Sequence, residues 1–183
     1  MKEQNYTVKD AEEISYNEDI ICFWKPYGMN KIGPYVLCQW YKSKFSDDKN
    51  TYTCTEQYMM YQKAILFGDD EIARKILSET RPEQMKKYGR LIKNFDDKCW
   101  NENKFSIVYD GNCLKFTQNE ELKKYLLSTG NSILVEASPY DAVWGVKMSM
   151  DNDDILYPEK WKGQNLLGFV LMQVRDDIRD GII

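Results

Sequence analysis

The sequence predicts an α+β fold, a single helix-rich domain with a small sheet. The chain has 183 residues, of which 43% are hydrophobic, so it can bury one sizeable core but is short for two domains. Several stretches combine good helix formers with capping patterns, whereas only a few short runs favour strands. No linker, repeat or low-complexity run is visible. We therefore expect one domain over residues 20–183, preceded by an arm over residues 1–19.

The net charge of −4 arises at the N-terminus. Residues 1–20 contain two lysines and six acidic residues, while the rest of the chain holds 23 basic and 23 acidic residues. The first 19 residues are therefore predicted to form an acidic, flexible and solvated arm. The neutral remainder excludes a strongly basic, general nucleic-acid binder, although a few arginines or a helix N-terminus could still bind a phosphate.

The chain contains no histidine, and its five cysteines are widely spaced without a CxxC pair. Ser-His-Asp and Cys-His catalysis are thereby excluded, and a zinc site is not favoured. We expect no metal and no cofactor, so an enzyme of this sequence must use carboxylates, lysine or tyrosine. The polar N-terminus and the lack of a long apolar run predict a soluble, intracellular (cytoplasmic) protein with reduced thiols.

Short strands are predicted where aromatic and branched residues cluster. Residues 20–24 and 35–41 form two such runs, and residues 25–34 between them contain two glycines and two prolines, which favour turns. A polar loop is expected at residues 46–50, and a further strand at residues 132–137.

Helices are predicted from capping patterns that precede apolar stretches. The strongest prediction is a helix over residues 54–67, because Thr53 and Glu56 have capping-box spacing just before it. Further helices are expected over residues 71–78 and 96–108. Two more should begin at capping boxes, one at Thr80–Glu83 and one at Thr117–Glu120, the latter with Gly130 as its C-terminal cap. An amphipathic helix is expected over residues 165–177.

Glu56 and Lys63 are the first pair of side chains that could perform chemistry. They are seven residues apart on the predicted helix, which places both on one side, about 10 Å apart along the axis. Helical side chains lean towards the N-terminus, so the lysine can reach back towards the glutamate. The alternative is that Glu56 belongs to the capping box and Lys63 is a solvated surface lysine.

Asp141, Trp144 and Gly145 follow the strand predicted at residues 132–137. An acid, an aromatic residue and a glycine in such a turn can form a ligand pocket. The alternative is a turn aspartate that binds its own backbone beside a core tryptophan. Asn165 precedes the last helix, where free N–H groups attract phosphate, although an ordinary N-cap explains it equally.

Aromatic residues offer stacking surfaces for a base, although aromatic side chains more often belong to a core. The residues considered are Phe23, Trp40, Tyr41 and Trp100.

The order of several segments resembles that of the NADAR (YbiA-like) family. The segments are CQWYKSKF, YTCTEQYMMYQKAILFGD, KYGRLIKNFDDKCW, LKFTQNEELKKYLLSTGNSILVEASPYDAVWG and WKGQNLLGFVLMQVRD. The resemblance extends from Ile20 to Arg179, nearly the entire chain. It implies the fold of that family and an N-glycosidase that releases a nitrogen from the anomeric carbon of a phosphorylated ribose.

The resemblance also implies site residues. Glu56 matches the glutamate of the family's (S/T)xE(H/Q) helix start, Lys63 the lysine of its KA pair, and Asp141 the aspartate of its EAxxxDxxWG block. These three are expected to be catalytic. The expected substrate-binding residues are Phe23, Trp40, Trp100, Trp144, Gly145, Lys147 and Asn165, the last from the WxGxNxLG block.

The expected substrate is ADP-ribose on a guanine base, so that the partner would be ADP-ribose or an ADP-ribosylated nucleic acid, with no membrane contact. Alternatives are a phosphoribosyl-amine substrate, as for the riboflavin intermediates hydrolysed by YbiA-type enzymes, or a binding module without catalysis. Two departures affect this choice. Lys147 replaces the second glycine of the family's WGxG, and Ala142 stands where relatives often have arginine. Lys147 could contact a phosphate or narrow the pocket.

Overall fold

The computed structural model describes residues 2–27 and 32–183. In chain order its helices and strands are α1 (Val8–Ile14), β1 (Ile20–Phe23), a 3-10 helix (Pro34–Leu37), β2 (Phe45–Ser46), β3 (Thr51–Tyr52), α2 (Thr55–Leu66), α3 (Asp70–Ser78), α4 (Pro82–Gly89), α5 (Asp97–Thr117), α6 (Glu120–Ser128), β4 (Ile133–Glu136), two further 3-10 helices (Asp153–Leu156 and Pro158–Lys160) and α7 (Leu166–Arg179). None of the described helices is long and apolar enough to cross a membrane. The predicted helix-rich α+β class is confirmed.

Two compact units divide the chain. The first is Gln39–Asn119 together with Lys2, and the second comprises Glu3–Cys38 and Glu120–Ile183. Within the first unit, α2 packs against α3, α4 and α5, and β2 pairs antiparallel with β3. Tyr52 of β3 stacks on Phe45 of β2 at 5.6 Å between ring centroids and meets Tyr58 of α2 edge-on at 5.0 Å. This aromatic cluster fixes the start of α2 against the hairpin.

The second unit is built on a parallel pair of strands. β1 pairs with β4, with Phe23 opposite Glu136, and α7 packs against β4. The N-terminal residues belong to this unit: Thr7 and Asp10 form a capping box for α1, and the Asn5 N–H donates to Gln173 Oε1 at 3.1 Å. The carboxyl ends of the parallel strands β1 and β4 therefore lie at the same edge, where Asp141 follows in the chain.

Several sequence predictions are confirmed, among them the helices near residues 54–67 and 71–78 and the strand within residues 132–137. Gly130 adopts φ +59° directly after α6, as a C-terminal cap glycine does. The strand predicted at residues 35–41 is wrong, because Pro34 opens a 3-10 helix whose Val36 N–H donates to the Gly33 carbonyl at 3.0 Å. The turn predicted around Gly28 lies outside the described residues.

The predicted caps are wrong in detail although their helices form. Cys54 is the N-cap of α2, and the Thr53 N–H donates to Gln57 Oε1 at 2.8 Å. Arg81 rather than Thr80 is the N-cap of α4. Thr117 ends α5, where its hydroxyl donates to the Cys113 carbonyl at 2.6 Å. Each pattern located a helix start within a few residues, but tertiary contacts selected the capping group.

Candidate active site

Glu56 lies in the first turn of α2, in the first unit. Its side chain is buried, with 3% of its surface exposed, and its backbone N–H donates to the Gln39 carbonyl at 3.0 Å. The capping-box alternative for Glu56 is wrong, because Gln57 accepts the Thr53 N–H instead. The fold therefore places an ionisable carboxyl in the interior without using it as a helix cap.

Lys63 lies two turns further along α2 and is half-buried. Its Nζ donates to the Gly89 carbonyl at 3.0 Å and stands over the rings of Phe95, at 4.2 Å, and Trp100, at 5.3 Å from the centroid. Such contacts with aromatic faces favour the ammonium form and hold its position. Lys63 is therefore an ordered side chain, and its interpretation as a solvated surface lysine is wrong.

The charge of Lys63 is balanced between two opposing influences. Burial lowers the pKa of its amine, while the nearby carboxylates of Asp97 and Glu56 raise it, and the net shift is downward. A lowered lysine pKa increases the neutral fraction, which is the nucleophilic form. Glu56 and Lys63 thus interact electrostatically, as their spacing on one helix predicted.

Gly89, Phe95 and Asp97 surround Lys63 but received no role in the sequence analysis. A Cβ at residue 89 would lie 2.0 Å from the Met60 sulfur, so a larger residue would have to displace the Met60 side chain where the end of α4 approaches α2. This approach brings the Gly89 carbonyl within hydrogen-bond distance of Lys63 Nζ. All three residues lie in the KYGRLIKNFDDKCW segment, whose family resemblance was the available signal.

Asp141 lies in the second unit, in the loop after β4, and is partly exposed. Its Oδ1 accepts the N–H groups of Val143, at 2.9 Å, and Trp144, at 2.8 Å. The interpretation of Asp141 as a turn aspartate is therefore confirmed. Its Oδ2 makes no hydrogen bond with any residue that the structure describes, so only one of the two carboxylate oxygens is bound in the turn.

The loop from Trp144 to Lys147 is shaped by close backbone approach. A Cβ at residue 145 would lie 2.7 Å from the Glu136 carbonyl oxygen, so Gly145 is required for packing against β4. Trp144 is half-buried. Lys147 is exposed and adopts φ +53°, and its N–H donates to the Asp141 carbonyl at 3.1 Å. The position at which the family resemblance implies a glycine is thus a left-handed backbone position, which a lysine occupies here at a cost.

Asn165 performs a structural task in the second unit. It is fully buried, its Nδ2 donates to the Leu134 carbonyl at 2.9 Å, and its Oδ1 accepts the Glu136 N–H at 3.0 Å. Its own N–H donates to Gly145, and those of Leu166 and Leu167 donate to the carbonyls of Val143 and Trp144. The prediction of a phosphate site on these N–H groups is therefore wrong, because backbone carbonyls already accept their hydrogen bonds.

The predicted aromatic residues differ in their surroundings. Phe23 is fully buried in the second unit, so its ring belongs to the core and not to a stacking surface. Trp40 and Trp100 are half-buried in the first unit, and of these Trp100 lies beside Lys63. The sequence analysis missed Trp24 and Tyr140, whose rings meet at 6.2 Å after the ends of β1 and β4.

One cavity of about 430 Å³ lies in the second unit, and none of the predicted site residues lines it. Its lining includes Tyr6, Glu13, Arg175, Asp176 and Arg179. Its charges are largely neutralised, since Asp176 pairs with Arg179 at 2.9 Å and accepts a short hydrogen bond from Tyr6. Among the described residues, no cluster of cysteine and acidic side chains could hold a metal ion.

These observations define a helix-rich α+β protein in which a buried carboxyl group and a half-buried lysine of lowered pKa share α2. Comparison with known proteins identifies the family of this chain. Residues 22–179 match the NADAR domain, and the chain belongs to this family. The predicted family and fold are confirmed.

Known relatives agree with this assignment. An N-glycosidase of Acanthamoeba polyphaga mimivirus is 40% identical over 164 residues, which cover 87% of this chain and 96% of the relative. The chloroplastic riboflavin biosynthesis protein PYRR of Zea mays is 30% identical over 179 residues, 92% of this chain but 27% of the longer plant protein. The NMR structure of the Escherichia coli protein YbiA superposes with a TM-score of 0.72 at 25% identity, covering 90% of this chain and 88% of YbiA. The chain is a hydrolase of the N-glycosidase class.

Proposed function

We propose that this protein removes ADP-ribose from a guanine base by hydrolysing the bond between ribose C1 and the base nitrogen. Glu56, Lys63 and Asp141 are the proposed catalytic residues, and Trp100 and Trp144 are proposed substrate contacts. The observation on which the proposal chiefly depends is the half-buried amine of Lys63, which has a lowered pKa and shares α2 with the buried Glu56.

The lysine environment supports a covalent route. In the ring-opened form of the substrate, C1 is double-bonded to the base nitrogen. The neutral Lys63 amine adds to C1, the base nitrogen takes up a proton, and its bond to C1 breaks, leaving a Schiff base between Lys63 and C1. Water then adds to C1, the amine leaves, and the freed sugar closes its ring. The proton transfers require a carboxyl group, the role proposed for Glu56 and Asp141.

The surroundings of Asp141 support a base that belongs to a larger molecule. Tyr140, its neighbour in the chain, is 85% exposed, and Tyr27, three residues after Trp24 in the chain, is 74% exposed. Lys25 places its ammonium 4.4 Å from the centroid of the Trp24 ring, and Trp24 in turn meets Tyr140. Unpaired bases stack on exposed aromatic rings, and a nearby cation attracts the nucleic-acid backbone. A small metabolite enclosed in a pocket would not need them.

A second candidate function is hydrolysis of free phosphoribosylamino-pyrimidines. The name of the maize relative places that protein in riboflavin biosynthesis, which favours this alternative. The same bond and the same catalytic groups would serve both substrates. They differ in whether the base is part of a nucleic acid.

The proposal is tested with a single-stranded oligonucleotide that contains one ADP-ribosylated guanine. We expect release of free ADP-ribose and, with borohydride present during turnover, a covalent adduct on Lys63 detected by mass spectrometry. Lys63→Arg should abolish both, because a guanidinium keeps the charge but cannot form the imine. Lys98→Arg, at an exposed lysine, is the matched control and should behave as the wild type.

The pH dependence follows from the state of Lys63. Because attack requires the neutral amine, and burial lowers the pKa of that amine, trapping should increase as the pH rises and Lys63 loses its proton. Tight binding without release would instead indicate a binding module. Hydrolysis of a phosphoribosylamino-pyrimidine, with the oligonucleotide left intact, would replace the proposal by the second candidate.

A further inference from the structure

Lys115 is a fully buried lysine in the last turn of α5, with none of its surface exposed. Its Nζ lies 5.0 Å from the centroid of the Phe116 ring and 5.7 Å from that of Tyr41. Lysine is rarely buried completely unless its charge is compensated. A buried ammonium at this position therefore requires an electrostatic reason.

The position of Lys115 relates it to the start of α2. Asn112, one turn earlier on α5, donates through Nδ2 to Gln39 Oε1 at 3.2 Å. The backbone carbonyl of Gln39 accepts the N–H of Glu56 at 3.0 Å. Residues three apart on a helix share a face, so Lys115 lies on the face of α5 that is turned towards the Glu56 segment.

Cys54 provides independent evidence that the two charges share one region. Burial raises the pKa of this thiol to about 11, the Glu56 carboxylate raises it further, and the Lys115 ammonium lowers it. The Cys54 thiol thus lies within electrostatic range of both Glu56 and Lys115. Among the described residues of this unit, Lys115 is the only fully buried cation and Glu56 is the buried carboxylate of the same region.

We propose that Lys115 is a positioning residue that keeps the buried Glu56 carboxylate ionised, so that Glu56 serves the reaction as a base. The inference rests on the proposed function, which assigns Glu56 a catalytic role. Burial alone would favour the neutral acid, and a cation in the same interior offsets that preference. Glu56 would then take a proton from the attacking groups and return it to the leaving nitrogen.

Other titratable groups near Glu56 cannot replace Lys115. Cys54 and Lys63 flank Glu56 on its own segment, and burial raises the pKa of the Cys54 thiol and lowers that of the Lys63 amine. Tyr41 faces Lys115 from the loop after the 3-10 helix. The charged side chains of α3 and its neighbours pair among themselves: Glu71 with Lys75 and Lys93, and Glu79 with Arg81.

The test is a titration of the Glu56 side-chain carboxyl by ¹³C NMR, with Glu56→Gln identifying its resonance. In Lys115→Met, Glu56 should titrate at higher pH than in the wild type, whereas Lys115→Arg should leave it nearly unchanged. Lys98→Met, at an exposed position of the same helix, is the matched control and should not shift it. An identical titration in Lys115→Met and the wild type overturns the proposal.

The measurement also works if Lys115→Met does not fold. A Glu56 carboxyl that is ionised at neutral pH in the wild type supports the proposal, and one that is protonated there overturns it. In turnover, Lys115→Met should lower kcat by about tenfold or more and move the acidic limb of the pH–rate profile upward, with Lys115→Arg restoring both. Since the titration needs no substrate, an enzyme inactive on ADP-ribosylated guanine would disprove the proposed function alone.

Discussion

Single residues of this protein owe their properties to surroundings that spacing does not reveal. The seven-residue interval predicted that Glu56 and Lys63 share a face, and they do interact. It could not predict the burial of Glu56 or the aromatic rings around Lys63, because those depend on α4, α5 and the loop between them. For Asp141, the simple turn interpretation was available from the sequence and is confirmed, while its catalytic role stays a prediction.

Lys147 shows how a family difference can be read as backbone strain. With φ +53°, this lysine occupies the left-handed region, which costs a residue with a Cβ about 1–2 kcal/mol relative to glycine. A glycine would remove this cost, but part of the resulting gain in stability is lost because glycine has greater conformational freedom in the unfolded chain. Lys147→Gly should therefore raise the free energy of unfolding by about 0.5–1 kcal/mol, measured by urea denaturation. Lys162→Gly is the control, since Lys162 is exposed without a positive φ. Equal effects of both changes would contradict the argument.

Helices and strands were predicted more reliably than their ends or partners. The apolar pattern of residues 165–177 predicted a helix, but α7 is buried on nearly all sides and not amphipathic in the usual sense. Its polar residues Gln173 and Arg175 nevertheless bond inside the second unit: Gln173 Nε2 donates to the Glu3 carbonyl at 3.0 Å, and Arg175 Nη1 donates to the Ser132 carbonyl at 2.7 Å. A sequence shows polarity, but not whether a partner in the interior satisfies it.

The junction between α7 and β4 depends on Asn165. Replacing it by alanine removes two hydrogen bonds and leaves the buried Glu136 N–H and Leu134 carbonyl without their partner. We expect Asn165→Ala to lower the free energy of unfolding by about 2–4 kcal/mol, because unmet buried groups cost about 1–3 kcal/mol each. Asn131→Ala removes side-chain contacts at an exposed position and should cost below about 0.5 kcal/mol. Equal losses in the two variants, compared by thermal and urea unfolding, would show that Asn165 is not the structural link.

At the scale of the molecule, composition predicted the fold class and the resemblance predicted the family. Which residues belong to one site was harder to predict from the sequence. Glu56, Lys63, Trp40 and Trp100 belong to the first unit, while Asp141, Trp144 and Lys147 belong to the second. No periodicity or spacing relates residues so distant in the chain, and only the order of the family segments connected them. Phe23 was assigned to a ligand by its residue type and Asn165 by its place before the last helix and in a family block, but burial assigns both side chains to the core.

The distribution of charge over the whole chain makes a prediction about the substrate. Outside the first 20 residues, 23 basic and 23 acidic side chains cancel, so an ADP-ribosylated strand should be held by few phosphate contacts. For single strands the logarithm of affinity falls with the logarithm of salt concentration by about 0.7 per phosphate neutralised. With about two such contacts, raising salt from about 50 to about 200 mM should lower kcat/KM by roughly sevenfold at most. ADP-ribosyl guanosine, assayed in parallel, corrects for salt effects on catalysis itself. A corrected loss of about a thousandfold would require about seven phosphate contacts by the same relation, and hence a basic surface that the charge count does not provide.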